Sequence, residues 1–142
     1  MLLDNAQVKK ILPHREPMLM IDTASDLIPG ISVTAEKHFD ENWDIYGGHF
    51  PSEPVTPGVF LIEAMAQASD LIVLSMPENA GKTPLFFGAN RVRFLRPVLP
   101  GDDIVIKAEL SQTAENGLYE CSATVFVGEK KAASGLISLA LR

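Results

Sequence analysis

From Val59 to Leu74 nearly every position is apolar; the strongly polar residues in the run are Glu63, Gln67 and Asp70. A helix with that pattern is buried on most of its sides. The run is shorter than the roughly 18 residues a membrane span needs. The remainder of the chain must therefore supply a cover that reaches around the helix. Thr56-Pro57-Gly58 marks the helix start: Thr56 is the expected side-chain cap and Pro57 the expected first helical residue. Met76-Pro77 marks its end.

The cover is written in alternation. Ile31, Val33, Ala35 and Phe39 alternate with Ser32, Thr34, Glu36 and His38, the pattern of a half-buried antiparallel strand. Further strands are predicted over Leu85 to Leu95, with Val92 and Phe94 opposite Arg91 and Arg93, and over Ile104 to Leu110. Two more follow, from Tyr119 to Val127 and from Ala132 to Leu141, with Glu115-Asn116-Gly117 as a hairpin signal. Met18 to Asp22 is a shorter apolar run with strand character. Val8, Ile11 and Leu12 have helical spacing over residues 4–12, capped by Asp4 or Asn5 and ended by Pro13. One long helix against several antiparallel strands makes an α+β layer, read as a single domain over residues 1–142.

Charge and cysteine usage narrow the function classes. A net charge of -6 disfavours a general nucleic-acid binder. A lone cysteine, Cys121, excludes an internal disulfide and fits a reducing compartment. Met1 to Lys10 lacks the long apolar core of a secretory signal, and the expected location is cytoplasmic. The three histidines, His14, His38 and His49, have no metal-ligand spacing, so no metal site is expected. Phosphate-binding glycine loops and a serine-hydrolase elbow are absent.

Chemistry points instead to the segment leading into the helix. His49 follows Gly47-Gly48 and precedes Phe50-Pro51, so its backbone is first bent and then stiffened. Imidazole is the side chain that exchanges a proton near neutral pH without help. Glu63 lies between Leu61-Ile62 and Ala64-Met65. An ionised carboxylate is costly to bury, so such a group pairs or holds a proton, and a protonated carboxyl is a general acid. Periodicity alone leaves a second reading open, in which Glu63, Gln67 and Asp70 form a wet stripe. First-turn amides after Thr56 could polarise a carbonyl oxygen or simply be capped. His14 reads as structural, His38 as exposed and Cys121 as core; Arg91, Arg93 and Arg96 form a basic patch on an acidic chain.

Three ordered blocks then carry a resemblance that covers essentially the whole chain. They are Leu12-Pro13-His14-Arg15-Glu16-Pro17; Gly48-His49-Phe50-Pro51 with Pro54-Val55, Pro57-Gly58-Val59 and Ile62-Glu63-Ala64-Met65-Ala66-Gln67-Ala68; and Arg93-Phe94, Pro97-Val98 and Pro100-Gly101-Asp102. With them the chain resembles the FabZ-type (3R)-hydroxyacyl-acyl-carrier-protein dehydratases. The resemblance implies a hotdog fold, an antiparallel sheet wrapped around one long helix. It implies a homodimer with shared sites, often a trimer of dimers, in which His49 of one copy meets Glu63 of the other. The implied substrate is a 3-hydroxyacyl chain on the phosphopantetheine arm of acyl carrier protein, dehydrated in fatty acid or related acyl-chain synthesis without a cofactor. Gly58, Val59 and Phe50 would then bind the thioester carbonyl region, Phe60, Phe86, Phe87 and Phe94 would line an acyl tunnel, and Arg91, Arg93 and Arg96 would dock the acidic carrier.

The chain departs from that pattern in places. Ser69-Asp70 stands where a glycine-rich step is usual, Leu85 where an aromatic gate is often found, and Trp43-Asp44 replaces Glu-Pro. Four alternatives remain at this stage: a dehydratase of a specialised polyene-like pathway, a dehydratase/isomerase, a hotdog thioesterase, and a silent carrier- or acyl-binding protein. The isomerase relatives typically use aspartate as the acid, so Glu63 favours simple dehydration.

Overall fold

The computed structural model describes residues 2–113 and 117–142. Its first element is helix α1, Asn5–Ile11. Asp4 caps it in a reciprocal box: its carboxylate accepts from the Gln7 amide while the Gln7 side chain accepts from the Asp4 amide. Val8 and Leu12 point into the core. The central helix α2 runs Gly58–Leu74 and is buried from Ala64 onward.

Among the described residues the sheet has six antiparallel strands in the order β1-β2-β4-β5-β6-β3. These are β1 (Thr23–Ile28), β2 (Ser32–His38), β3 (Pro84–Phe94), β4 (Asp103–Thr113), β5 (Leu118–Val127) and β6 (Lys130–Leu141). The sheet curls so that β1 through β6 all touch α2. This is the hotdog arrangement, and it supplies the all-round cover that the apolar helix requires. Alternation predicts the inner faces of β4 and β5: Ile104, Ile106, Ala108, Cys121, Ala123 and Val125 are all buried. Burial raises the Cys121 thiol to about 11, so it stays an unreactive core group. No described helix is long and apolar enough to cross a membrane.

Several local expectations change. Met18–Asp22 forms no strand, because its backbone is claimed by a side chain: Gln67 on α2 accepts from the Met20 amide and donates to the Met18 carbonyl. The strand begins later, at Thr23. Ile31 does not join Val33 and Ala35 on the inner face. Its amide closes a turn onto Ile28, Gly30 takes a positive φ of 74°, and the Ile31 side chain is left exposed. Thr56 does not cap α2. Its hydroxyl shares a 2.6 Å hydrogen bond with Tyr46, and Pro57 itself occupies the cap position without a side-chain bond. The loop after α2 is not purely surface, since buried Asn79 donates to the Val73 carbonyl and to Tyr119. The Glu115-Asn116-Gly117 turn signal lies partly outside the described residues.

β3 is the exception to clean alternation. Arg91 has a positive φ of 52°, and the pairing with β6 slips between Asn90 and Arg93. Among the described residues only β6 borders β3, so its other edge is free. Leu85, Phe86, Phe87 and Phe94 on this edge strand are all exposed. Long edge strands with exposed large apolar side chains are uncommon on proteins that stay apart.

Candidate active site

His49 is held by its own loop. The Val55 amide donates to the His49 carbonyl, and the Val55 carbonyl accepts from the His49 ring Nδ1 at 2.9 Å. With Nδ1–H committed to a carbonyl, Nε2 carries the free lone pair, which is the tautomer a base needs. Phe50 stacks on the imidazole with ring centroids 4.1 Å apart, and the Thr56 amide ties the loop to the Val98 carbonyl. His49 opens onto a cleft of about 500 Å³ lined by Thr56, Gly58, Leu61, Phe94 and Arg96. The first-turn amides of Gly58 and Val59 lie outside the helical hydrogen-bond ladder beside it. Gly58 lets the Phe94 ring approach closely: a Cβ there would stand 2.7 Å from the ring, which would have to swing aside.

Glu63 lines a different cleft, of about 270 Å³. Its other walls are His14, Met18, Ala66, Asp70, Pro84, Leu85, Phe86 and Leu139. The two clefts share no lining residue. Phe94 at the end of β3 borders the first, and Pro84, Leu85 and Phe86 at its start border the second. An eleven-residue strand spans roughly 35 Å, less where it bulges. Within one chain, His49 and Glu63 therefore line separate clefts.

The stripe Glu63, Gln67 and Asp70 is not wet. Gln67 is fully buried, and its Nε2 also donates to Glu63 Oε2 at 2.7 Å. One amide side chain thereby fixes the carboxylate and anchors the Met18–Met20 segment that walls its cleft. Asp70 is buried too, and desolvation first, then the Glu63 charge, push its carboxyl up to about 8. His14 stands over both acids. Its Nε2 is 3.8 Å from Glu63 Oε2 and 3.9 Å from Asp70 Oδ2. Burial is the main cause that lowers its proton affinity; Glu63 opposes this and Arg15 adds to it.

The phenylalanines do not gather in one place. Phe94 belongs to the His49 cleft and Phe86 to the Glu63 cleft. Phe87 faces away, beside Tyr119 and Gln112. Phe60 packs edge-on against Trp43 at 4.8 Å, in an aromatic cluster with Tyr46 and Phe39. Arg91, Arg93 and Arg96 are exposed, and Arg96 is on the His49 rim. His38 is exposed as expected and pairs with Asp103 at 2.8 Å. Among the described residues no three His, Cys, Asp or Glu side chains form a group that could hold a metal ion. The sequence undervalued His14, Gln67 and Asp70. The signal was available for the last two, which recur at i+4 and i+7 from Glu63.

A model of the FabA-like domain matches residues 12–135. The chain is 43% identical over 132 residues to the 3-hydroxyacyl-[acyl-carrier-protein] dehydratase FabZ of Symbiobacterium thermophilum, covering 93% of this chain and 92% of that one. It is 40% identical over 141 residues to the protein of the same name from Pelotomaculum thermopropionicum, covering 99% and 100%. Among solved structures it is similar in fold to the dehydratase heterocomplex ApeI:P from Xenorhabdus doucetiae, with a TM-score of 0.77 at 19% identity over 95% of this chain and 90% of that one. The fold is also similar to that of Cj0977, a sigma28-regulated virulence protein from Campylobacter jejuni, with a TM-score of 0.70 at 14% identity over 95% of both chains. The chain belongs to the FabA-like domain family, and within it to the FabZ-type dehydratases.

Proposed function

We propose that two copies of this chain form each active site, and that the site converts a (3R)-3-hydroxyacyl thioester of acyl carrier protein to the trans-2-enoyl thioester and water. One observation carries the reading: His49 and Glu63 lie in separate clefts bordered by opposite ends of the same free edge strand. If β3 pairs antiparallel with β3 of a second copy about a two-fold axis, the Phe94 end of one meets the Pro84 end of the other. The His49 cleft of each copy then abuts the Glu63 cleft of its neighbour. Exposed Phe50, Val59, Phe86 and Phe94 are the apolar groups such a pairing would cover.

The chemistry follows from the residue types. His49 Nε2 removes a proton from C2 of the acyl chain. Amides of Gly58 and Val59, at the positive end of α2, stabilise the charge that develops on the thioester oxygen. The C2–H electron pair becomes the new double bond as the C3–O bond breaks. Glu63 of the other copy, directly or through water, gives the departing hydroxyl a proton. Arg91, Arg93 and Arg96 supply positive charge for an acidic carrier and its phosphopantetheine phosphate. Phe86 and Phe94, on the two clefts that would merge, are the best-placed walls for the acyl chain; Phe60 and Phe87 lie apart from them.

Incubating the protein with 3-hydroxyacyl and trans-2-enoyl carrier thioesters, with products resolved by mass and isomer, tests the reading. Interconversion of the two is expected. Free carrier would indicate hydrolysis, a cis-3 product isomerisation, and no turnover would leave the activity assignment without support. Light scattering reads the assembly, for which a dimer or a multiple of it is expected.

Gly58→Ala provides a finer check. The added methyl forces the exposed Phe94 ring out of the cleft, while the backbone keeps its helical conformation. We expect kcat/KM to fall about tenfold, the cost of one misplaced group in a substrate pocket. The melting temperature should stay within about 4 °C of wild type, because an exposed ring can move at a cost of about 1 kcal/mol.

A further inference from the structure

The cleft of Glu63 contains a second carboxyl that the reaction as written does not use. Asp70 sits two turns further along α2, buried, and among the described residues it has no hydrogen-bond partner to hold it ionised. The groups facing it are few. His14 comes from the segment after α1, with Arg15 beside it turned to the Leu12, His14 and Lys9 carbonyls. Glu63 comes from its own helix and Cys121, as a neutral thiol, from β5. β3 and β6 contribute only Pro84, Leu85, Phe86 and Leu139.

His14 decides how charge is distributed in this cluster. Its Nδ1 is buried and has no partner. An imidazolium would leave an N–H there without an acceptor, at a cost of roughly 1–3 kcal/mol. The neutral ring places its one hydrogen on Nε2, 3.8 and 3.9 Å from Glu63 and Asp70, and leaves at Nδ1 an unpaired lone pair, which is tolerated better than an unpaired N–H, in line with the burial that lowers its proton affinity. An ion pair with His14 is thus disfavoured as the way to neutralise the buried Asp70. The remaining way is for Asp70 to keep its proton.

We propose that Asp70, holding a proton beneath the neutral Nε2–H of His14, is the positioning residue that keeps a proton available to Glu63, the acid of this site. The inference rests on the dehydration reading above. In each turnover the two acids together give one proton to the leaving hydroxyl. They regain the proton that His49 took from C2, carried back by water, so no net proton is consumed. Asp70 belongs to the Ser69-Asp70 step that departs from the pattern the chain otherwise follows.

Two measurements test it. The infrared spectrum of the wild type at about pH 7 should contain a protonated-carboxyl C=O band that disappears as Asp70 ionises, around pH 8. Asp70→Asn should remove the band. The variant is isosteric and relieves a buried acid, so it should fold. Its kcat for dehydration near pH 7.5 should fall about tenfold or more, with KM within about twofold. The alkaline limb of its kcat profile should move to lower pH. A wild type without the band, or Asp70→Asn with wild-type kcat and an unmoved alkaline limb, overturns the proposal. A wild type that turns over no acyl thioester would instead overturn the activity reading, and the infrared result would stand apart from it.

Discussion

A mixture of two inactive variants should recover about a quarter of wild-type activity. His49→Ala and Glu63→Gln are each expected to lose about 1,000-fold in kcat, as one removes the base and the other the proton donor. Coexpressed in equal amounts, they assemble at random, and about half of the dimers are mixed. In a mixed dimer the Glu63→Gln copy supplies His49 and the His49→Ala copy supplies Glu63, so one of the two sites is intact. The other site lacks both groups. One working site in half of the dimers gives the quarter. If His49 and Glu63 of the same copy acted together, neither copy would have a complete pair and mixing would restore nothing. That outcome would sink the shared-site geometry without touching the identity of the two residues. The expectation comes from the separate clefts at the two ends of β3.

Gln67→Leu should be the most destabilising single change on α2. The Gln67 side chain is fully buried and makes three hydrogen bonds: it accepts from Met20 at 2.7 Å, donates to Met18 at 2.9 Å and donates to Glu63 at 2.7 Å. Leucine fits the volume but leaves a buried amide and a carbonyl unpaired. Each costs roughly 1–3 kcal/mol, and a net loss of about 3 kcal/mol is expected. For a chain of this length that is a fall of about 10 °C in melting temperature, measurable by calorimetry. Activity should fall even where the variant is folded, since the Met18 wall and the Glu63 carboxylate lose their common anchor. Gln67→Glu is the informative partner. An ionised glutamate still accepts from Met20 but donates to nothing, and adds a third acid beside Glu63 and Asp70. A Gln67→Leu protein as stable as wild type would show that the Met18–Met20 segment is held by packing alone.

The pH dependence of stability provides an independent view of Asp70. Its carboxyl is held above the ordinary value by burial, so the folded protein retains a proton that the unfolded chain gives up. Between the unfolded value near 4 and the folded value of about 8, the unfolded state binds fewer protons. Stability from this group is therefore fully present at low pH and lost as pH rises through that window. Asp70→Asn should flatten the slope and raise the melting temperature at pH 8 by about 5 °C or more. This separates the stability cost of the buried acid from its effect on turnover.

Much of the fold follows from local pattern. Alternation in β2, β4 and β5 reports which side faces the core because a strand's period is fixed at two. The apolar girth of α2 required a cover on every side, and a curled sheet provides it. Asp4 and Gln7 form the cap box that starts α1. His49 in its glycine-proline setting and Glu63 in an apolar run both stand out because each residue type conflicts with its surroundings.

The rest depended on contacts that spacing does not encode. Periodicity places Glu63, Gln67 and Asp70 on one stripe but does not say what lies over it. The answer is a segment 47 to 49 residues away in sequence, pinned by Gln67 itself. Thr56 looked like a cap, yet its hydroxyl found Tyr46, because a tertiary neighbour offered a better-buried partner than the helix amides did. β3 read as an ordinary strand, and only the sheet order shows that one of its edges has no partner among the described residues. The sequence by itself determined the helix, the strands around it and the two side chains with the right chemistry. Tertiary structure decided that those two face separate clefts, and that His14 and Asp70 share one of them, because burial and distance are set by the whole chain rather than by neighbours along it.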